Sequence, residues 1–204
     1  MNPLKKFYKK KFLSHGASIK GVGWFNTSKA KKRYKNLLKI IDKKDQSKFS
    51  LLDVGCGYGE LLKHCDLNKI KTYQGIDIVD EMINYANKRN RKKKKVKFNV
   101  RNLFEEKKKY DYVICNGIFT LKSTITNQKM LSFIKRCINQ FYKISIKGFA
   151  FNVMDEKVDF KSKDLFYTNS DKLLSFLKNK QKIKIKIDSK TIVYENCFFI
   201  KKTK

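Results

Sequence analysis

The amino-acid sequence predicts an α/β fold: a doubly wound, Rossmann-like, seven-stranded, mostly parallel sheet with an antiparallel C-terminal hairpin strand. Three observations lead there. The apolar run FSLLDV (49–54) ends in glycines at alternate positions; strand-like and helix-like segments then alternate; and two strand-like runs follow one another near residue 190.

Each element has its own warrant. TSKAKKRYKNLLKIIDKK (27–44) places Ala30, Tyr34, Leu37, Leu38 and Ile41 at helical spacing, with Thr27 or Ser28 as the expected N-cap. FSLLDV is an apolar run that reaches an aspartate near its end, as expected of a strand buried on both faces of a parallel sheet. GELLKHC (59–65) then reads as a helix, KTYQGIDI (71–78) as a strand, DEMINYANKR (80–89) as a helix burying Val79, Met82, Ile83 and Ala86, and KVKFNV (95–100) as a strand. YDYVIC (110–115) and KGFAFNV (147–153) are further strands flanking the helix NQKMLSFIKRCINQFYKI (127–144). SDKLLSFLKNK (170–180) is a helix with Ser170 as its expected cap, and KIKIKID (182–188) with TIVYENCFFIKK (191–202) makes a closing hairpin of period two. The run RNRKKKKVK (89–97) falls between a helix and the next strand. That junction lies at the edge of the sheet opposite the ligand crevice, so these lysines are expected to be a solvated surface.

The 204 residues suit one globular unit, with residues 1–45 as an N-terminal helical segment packing on or over the site and 46–204 as the ligand-binding part. There is no apolar run of signal-peptide or membrane-spanning length, and a cytoplasmic protein is expected. Five cysteines without a CxxC pair point to buried thiols, with no metal site expected. The net charge of +31 suggests an anionic partner such as nucleic acid. Yet 44 Lys stand against 5 Arg, alongside 19 Ile, 16 Asn and only 4 Ala, a bias expected from A+T-rich codons. A surface selected for phosphate favours the bidentate arginine fork.

The glycines carry the chemistry. Gly55, Gly57 and Gly59 are spaced G-x-G-x-G, unlike the dinucleotide fingerprint G-x-G-x-x-G, and Asp53 stands two residues ahead of them. A carboxylate beside the turn repels a pyrophosphate and suits a cationic ligand. S-adenosylmethionine (SAM) is such a ligand, since it carries an amino group and a sulfonium, and bare glycine backbone lets it approach closely. Asp77 follows Gly59 by 18 residues at the tip of the second strand, where an acid can accept from ribose hydroxyls.

LLDVGCGYGELL followed by YQGIDI resembles motifs I and II of the class I SAM-dependent methyltransferases, and FNVRNL and YDYVICNGIFTL resemble the regions after strands three and four. The likeness runs over roughly residues 24 to 201. GW at 23 and 24 with Arg33 and Tyr34, NGIFTL, and FAFNVMDEKVDFKSKDLFY also look similar to compact, mostly uncharacterised bacterial methyltransferase-domain proteins. The resemblance implies that Asp53, Gly55, Cys56, Gly57 and Gly59 cradle the methionine part, Asp77 holds the ribose, and Ile78 or Met82 flanks the adenine. Asn102 would sit near the adenine amino group, where the family commonly has an acid, and Cys115, Asn116 and Gly117 would pass close to the sulfonium.

Displacement at a sulfonium depends mainly on alignment, and a base is required only if the acceptor must lose a proton. Asn116, His15 and Tyr167 are the catalytic candidates; His64 reads as structural. Trp24, Arg33, Phe119 and Asp159 are candidate acceptor contacts, together with the loop 154–167 that carries Asp155 and Glu156. The sequence CNGI replaces the [DN]-P-P-[YF] motif of exocyclic-amine methylation, and Pro3 is the sole proline, which removes that class. The expected function is methylation of a small-molecule or glycan-type metabolite. An RNA methyltransferase using its basic surface, or a SAM-binding protein without transfer activity, is the alternative. Oligomeric state is left open.

Overall fold

The computed structural model describes residues 3–42 and 48–203. Its strands are β1 (Phe49–Val54), β2 (Ile70–Asp77), β3 (Val96–Val100), β4 (Tyr110–Cys115), β5 (Ser145–Asp155), β6 (Tyr167–Thr168), β7 (Ile183–Asp188) and β8 (Glu195–Lys202). The helices are α1 (Pro3–His15), α2 (Thr27–Leu37), α3 (Asp80–Asn90), α4 (Asn127–Ile144) and α5 (Ser170–Lys178). Seven strands form one sheet in the order β3-β2-β1-β4-β5-β8-β7, parallel from β3 to β5 and antiparallel at β8 and β7. The two-residue β6, within a stretch read from the sequence as loop, adds to the end of β5.

The order reverses direction between β1 and β4, so the crevice of a doubly wound sheet opens above their C-terminal ends. Both faces of β1 are covered, which explains its unbroken apolar run. On one side α4 and α5 pack Met130, Ile134, Phe141 and Leu173 against Phe149, Phe151 and Phe198. On the other, α2 and α3 pack Ala30, Leu37 and Ala86 against Leu51, Tyr73 and Phe199. A smaller cluster of Phe12, Tyr58, Val79 and Met82 seats α1 on α3. Lys5 pairs with Asp80 at 3.0 Å and Lys9 with Glu81, so two cations of α1 meet the acidic first turn of α3. The run Lys92–Lys95 is exposed at the start of β3, remote from the C-terminal strand ends.

Several local readings are corrected. The expected helix GELLKHC is a single 3-10 turn, Leu61–His64. Cys65 N–H closes it on Leu62 C=O, and Asp66 then accepts from Asn68 N–H, so a side-chain turn captures the backbone before a helix can propagate. Thr27 and Ser28 do not cap α2; Asn26 does, accepting from Lys29 N–H at 2.8 Å. Likewise Asn169, not Ser170, caps α5, accepting from Asp171 N–H at 2.7 Å. An amide oxygen serves a cap as well as a hydroxyl, and both asparagines are extended immediately before the helix. Residues 191–194 form a turn, so the last strand starts at Glu195. The helix expected over 27–44 ends as α2 at Leu37 and tightens into a 3-10 turn at Leu38–Ile40, with Ile41 extended; residues 43–44 and the 45/46 boundary lie outside the described residues.

Candidate functional site

A cavity of about 360 Å³ opens at the C-terminal ends of β1, β2 and β4, roofed by α1 and the segment before α2. That volume is of the size that takes a small ligand or cofactor. Its floor is the turn after β1. Gly55, Gly57 and Gly59 have φ of +69°, +53° and +81°, conformations that cost little only for glycine. The space is equally demanding, because a Cβ on Gly55 would stand 2.3 Å from the Ile118 side chain.

Two acids, the buried Asp53 and the half-buried Asp77, define the polarity of the floor. Asp77 Oδ2 accepts from Gly57 N–H at 2.9 Å, and Oδ1 accepts from Val79 N–H at 3.0 Å, which locks the carboxylate over the turn. Burial raises its pKa against the pull of these backbone donors. Asp53, at 2% exposure, has its pKa pushed up to about 7 by burial, while the hydrogen bond from Tyr73 Oη to Oδ2 at 2.6 Å opposes the rise. The Asp77 charge adds to it. Glu60 also lines the cavity, paired with Lys63 at 2.8 Å and Arg89 at 3.3 Å.

The far wall is made by the segment after β4. Asn116 is buried, and neither its Oδ1 nor its Nδ2 has a hydrogen-bond partner among the described residues. Buried amides are normally satisfied, so an unpartnered one on a cavity wall is open to a polar group that enters there. The near wall is aromatic. Trp24 and Tyr34 lie with ring centroids 5.7 Å apart, and Tyr34 stacks on His64 at 5.2 Å. Burial holds the Tyr34 hydroxyl well above the ordinary tyrosine range. At the other end Ile78, Met82, Asn102, Leu103 and Phe104 form an apolar slot. Asn102 Oδ1 is engaged by Phe104 N–H at 3.1 Å, which leaves the amide nitrogen for a ligand.

A family model described as a methyltransferase domain matches residues 45–196. The chain belongs to this methyltransferase-domain family. A relative from Mycobacterium tuberculosis (strain ATCC 25618 / H37Rv), whose name provisionally assigns it to the methyltransferases, is 26% identical over 168 residues, covering 81% of this chain and 99% of the relative. Among solved structures, the magnesium protoporphyrin IX methyltransferase of Synechocystis PCC 6803 with bound S-adenosylhomocysteine (SAH) aligns with a TM-score of 0.71 at 13% identity, over 98% of each chain. The N-methyltransferase NodS of Bradyrhizobium japonicum WM9, in complex with SAH, aligns at 0.70 and 9% identity, also over 98% of each. These likenesses show the shared fold, and SAM is the methyl donor of the family.

In this methyltransferase-domain chain the cavity gathers most of the expected donor-site residues. Asp53, Gly55, Cys56, Gly57, Asp77, Ile78, Met82, Asn102 and Asn116 all line it. Two do not. Gly59 lies beneath the turn, where a Cβ would stand 2.8 Å from the Phe98 ring, and Cys115 is fully buried in the core beside Cys137. Of the acceptor and catalytic candidates, Trp24 and Asn116 line the cavity and the others are corrected. Phe119 is fully buried among Phe133, Phe141 and Phe151, because the chain after Asn116 turns back into the sheet. Arg33 is held by Glu195. Asp159 accepts from Tyr194 Oη on an exposed loop, and Tyr167 Oη accepts from Ser162 N–H at 3.1 Å. His15 is exposed at the end of α1 and does not reach the cavity, because that helix lays Leu4 and Tyr8, near its start, over it. Tyr8, Tyr34, Tyr58 and Glu60 were not expected at the site. Tyr58 and Glu60 lie within or beside the glycine motif, a signal that was available; Tyr8 required the fold of α1.

Proposed function

We propose that this chain transfers a methyl group from SAM to a small-molecule or glycan-type acceptor that enters beside Trp24. The observation that carries the reading is a cavity of about 360 Å³ whose walls combine the acids Asp53 and Asp77 with an Asn116 amide that has no partner among the described residues. In a chain of net charge +31, Asp53, Asp77 and Glu60 face this space and only Arg101 and Lys129 among its described lining residues are basic. The interior therefore favours a cation where the surface does not.

When bound, SAM supplies a methyl group on a positively charged sulfur. The Asp53 carboxylate has one oxygen held by Tyr73 and keeps acceptor capacity on the other, so it can accept from an ammonium. Each Asp77 oxygen already accepts one backbone N–H and keeps capacity for a ribose hydroxyl. The Asn102 amide nitrogen donates to an adenine edge, and Ile78, Met82 and Phe104 exclude water from its faces. Asn116 Oδ1 accepts from an acceptor N–H or O–H and orients its lone pair, while Trp24 and Tyr34 wall the approach.

The test is calorimetry with SAM, SAH and NAD, followed by transfer of labelled methyl into an acceptor panel and into bulk RNA. SAM binding with transfer into small molecules supports the proposal. NAD binding without SAM binding would sink it at the cofactor. Transfer into RNA, with affinity falling steeply as salt rises, would move the function to nucleic acid.

A further inference from the structure

Five residues from separate parts of the chain close into a ring behind the Trp24 wall of the cavity. Gly117 N–H donates to Asn152 Oδ1 at 2.9 Å, and Asn152 Nδ2 donates to Glu195 Oε2 at 3.0 Å. Arg33 Nε donates to both Glu195 oxygens, at 2.9 and 2.8 Å, and its Nη2 reaches the same carboxylate. The Arg33 guanidinium carbon stands 4.8 Å from the centroid of the Trp24 ring, and that ring lies flush against Gly117, where a Cβ would come within 2.8 Å of Cζ2. The polar members are buried: Asn152 is fully covered, Glu195 is 1% exposed and the Arg33 side chain 14%. Trp24 and Gly117 line the cavity; Arg33, Asn152 and Glu195 do not.

We propose that Arg33, Asn152 and Glu195 are positioning residues that clamp the Trp24 indole to the Asn116–Gly117 segment and so fix the acceptor-side wall of the site. The term "acceptor-side" rests on the methyl-transfer reading above. A buried ion pair gains little net stability over apolar packing, and its best-attested use is to enforce one arrangement. The ring here enforces one across the sheet. Asn152 on β5 uses its acceptor for Gly117 and its donor for Glu195 on β8, so the amide is fully directed and the loop after β4 is tied to the antiparallel strand. Glu195 in turn orients a planar guanidinium, whose flat face supports the indole in a way the ammonium of lysine cannot. The glycine at 117 has φ +81° and no side chain, both of which the closure requires. Without the ring, the Trp24 indole would keep its tilted contact with Tyr34 but lose the support of Arg33, and the aromatic wall of the cavity would be loose.

The sequence contains one tryptophan, so indole fluorescence reports this wall alone. Emission and acrylamide quenching of the full chain are measured for Glu195→Gln and Arg33→Lys, with Lys201→Gln as a control that removes an ion pair to Asp42 from the same strand. In both ring variants the emission moves to the red and quenching steepens while cooperative melting is retained, and the control matches the parent. Unchanged emission in the ring variants, or an equal shift in the control, would overturn the clamp. Should Glu195→Gln fail to fold, Arg33→Lys alone decides, since it keeps the charge and loses the flat bidentate face. SAM titration of the parent chain is read separately: no binding there defeats the methyl-transfer reading, whatever the indole reports.

Discussion

At the scale of single residues, Asp53 makes opposite demands on pH for ligand binding and for stability. Asp53 titrates near pH 7 because burial disfavours its charge, yet a cationic ligand needs the charged form. SAM affinity is therefore expected to rise as pH climbs through about 7, with calorimetry in buffers of different ionisation enthalpy detecting proton release. Asp53→Asn should weaken binding by about tenfold, the loss of one charge-assisted contact, and flatten that pH dependence. Stability runs the other way. The folded pKa of Asp53 lies above the unfolded value of about 3.9, so its contribution is fully present below that value and is lost as pH rises through about 7. Asp77→Ala has a larger effect, because it strips acceptors from Gly57 N–H and Val79 N–H as well as from the ribose; SAM affinity should fall about thirtyfold or more. Asp53 and Asp77 could be found from the sequence because each stands at a strand tip at a fixed distance from the glycines. That Arg33, Asp159 and Phe119 lie outside the cavity lining could not be read there, because their partners Glu195, Tyr194 and Phe151 lie 162, 35 and 32 residues away and only the fold brings them together.

At the scale of elements, propensity was a good guide where one face decides and a poor one where a single side chain competes with the backbone. The α4 stripe of Met130, Ile134, Cys137 and Phe141 is visible in the sequence because a long helix repeats its burial every turn. The 3-10 turn at Leu61–His64 is not, because one carboxylate at Asp66 decides the path. The helix starts shifted for the same local reason. Asn26→Ala, removing the amide that holds Lys29 N–H, should cost about 1 kcal/mol, measured by denaturant unfolding, and Thr27→Ala should cost far less. The turn after β1 is stiffer still. Gly59→Ala combines a left-handed backbone with a Cβ driven into Phe98, which should destabilise by about 2 kcal/mol or more and lower the melting temperature by several degrees.

For the whole molecule, the fold class and strand alternation were readable because each strand and helix had to bury a face, whereas β6 was too short to leave a periodic trace. The charge remains the largest global fact. Forty-nine cations against 18 anions repel one another on a compact body, so added salt should stabilise it: the melting temperature is expected to rise between about 0.1 and 1 M NaCl, as the screening length contracts from about 10 to 3 Å. The position of β8 has a consequence in time. This strand follows every other one in the sequence yet inserts between β5 and β7, and it carries Glu195. As the chain emerges from the ribosome, Asp53, the glycines, Asp77 and Asn116 are all synthesised before the carboxylate that holds Arg33 exists. A nascent chain can thus assemble its floor early but must wait for its eighth strand before the indole wall is set, which makes completion of the sheet the event that finishes the pocket.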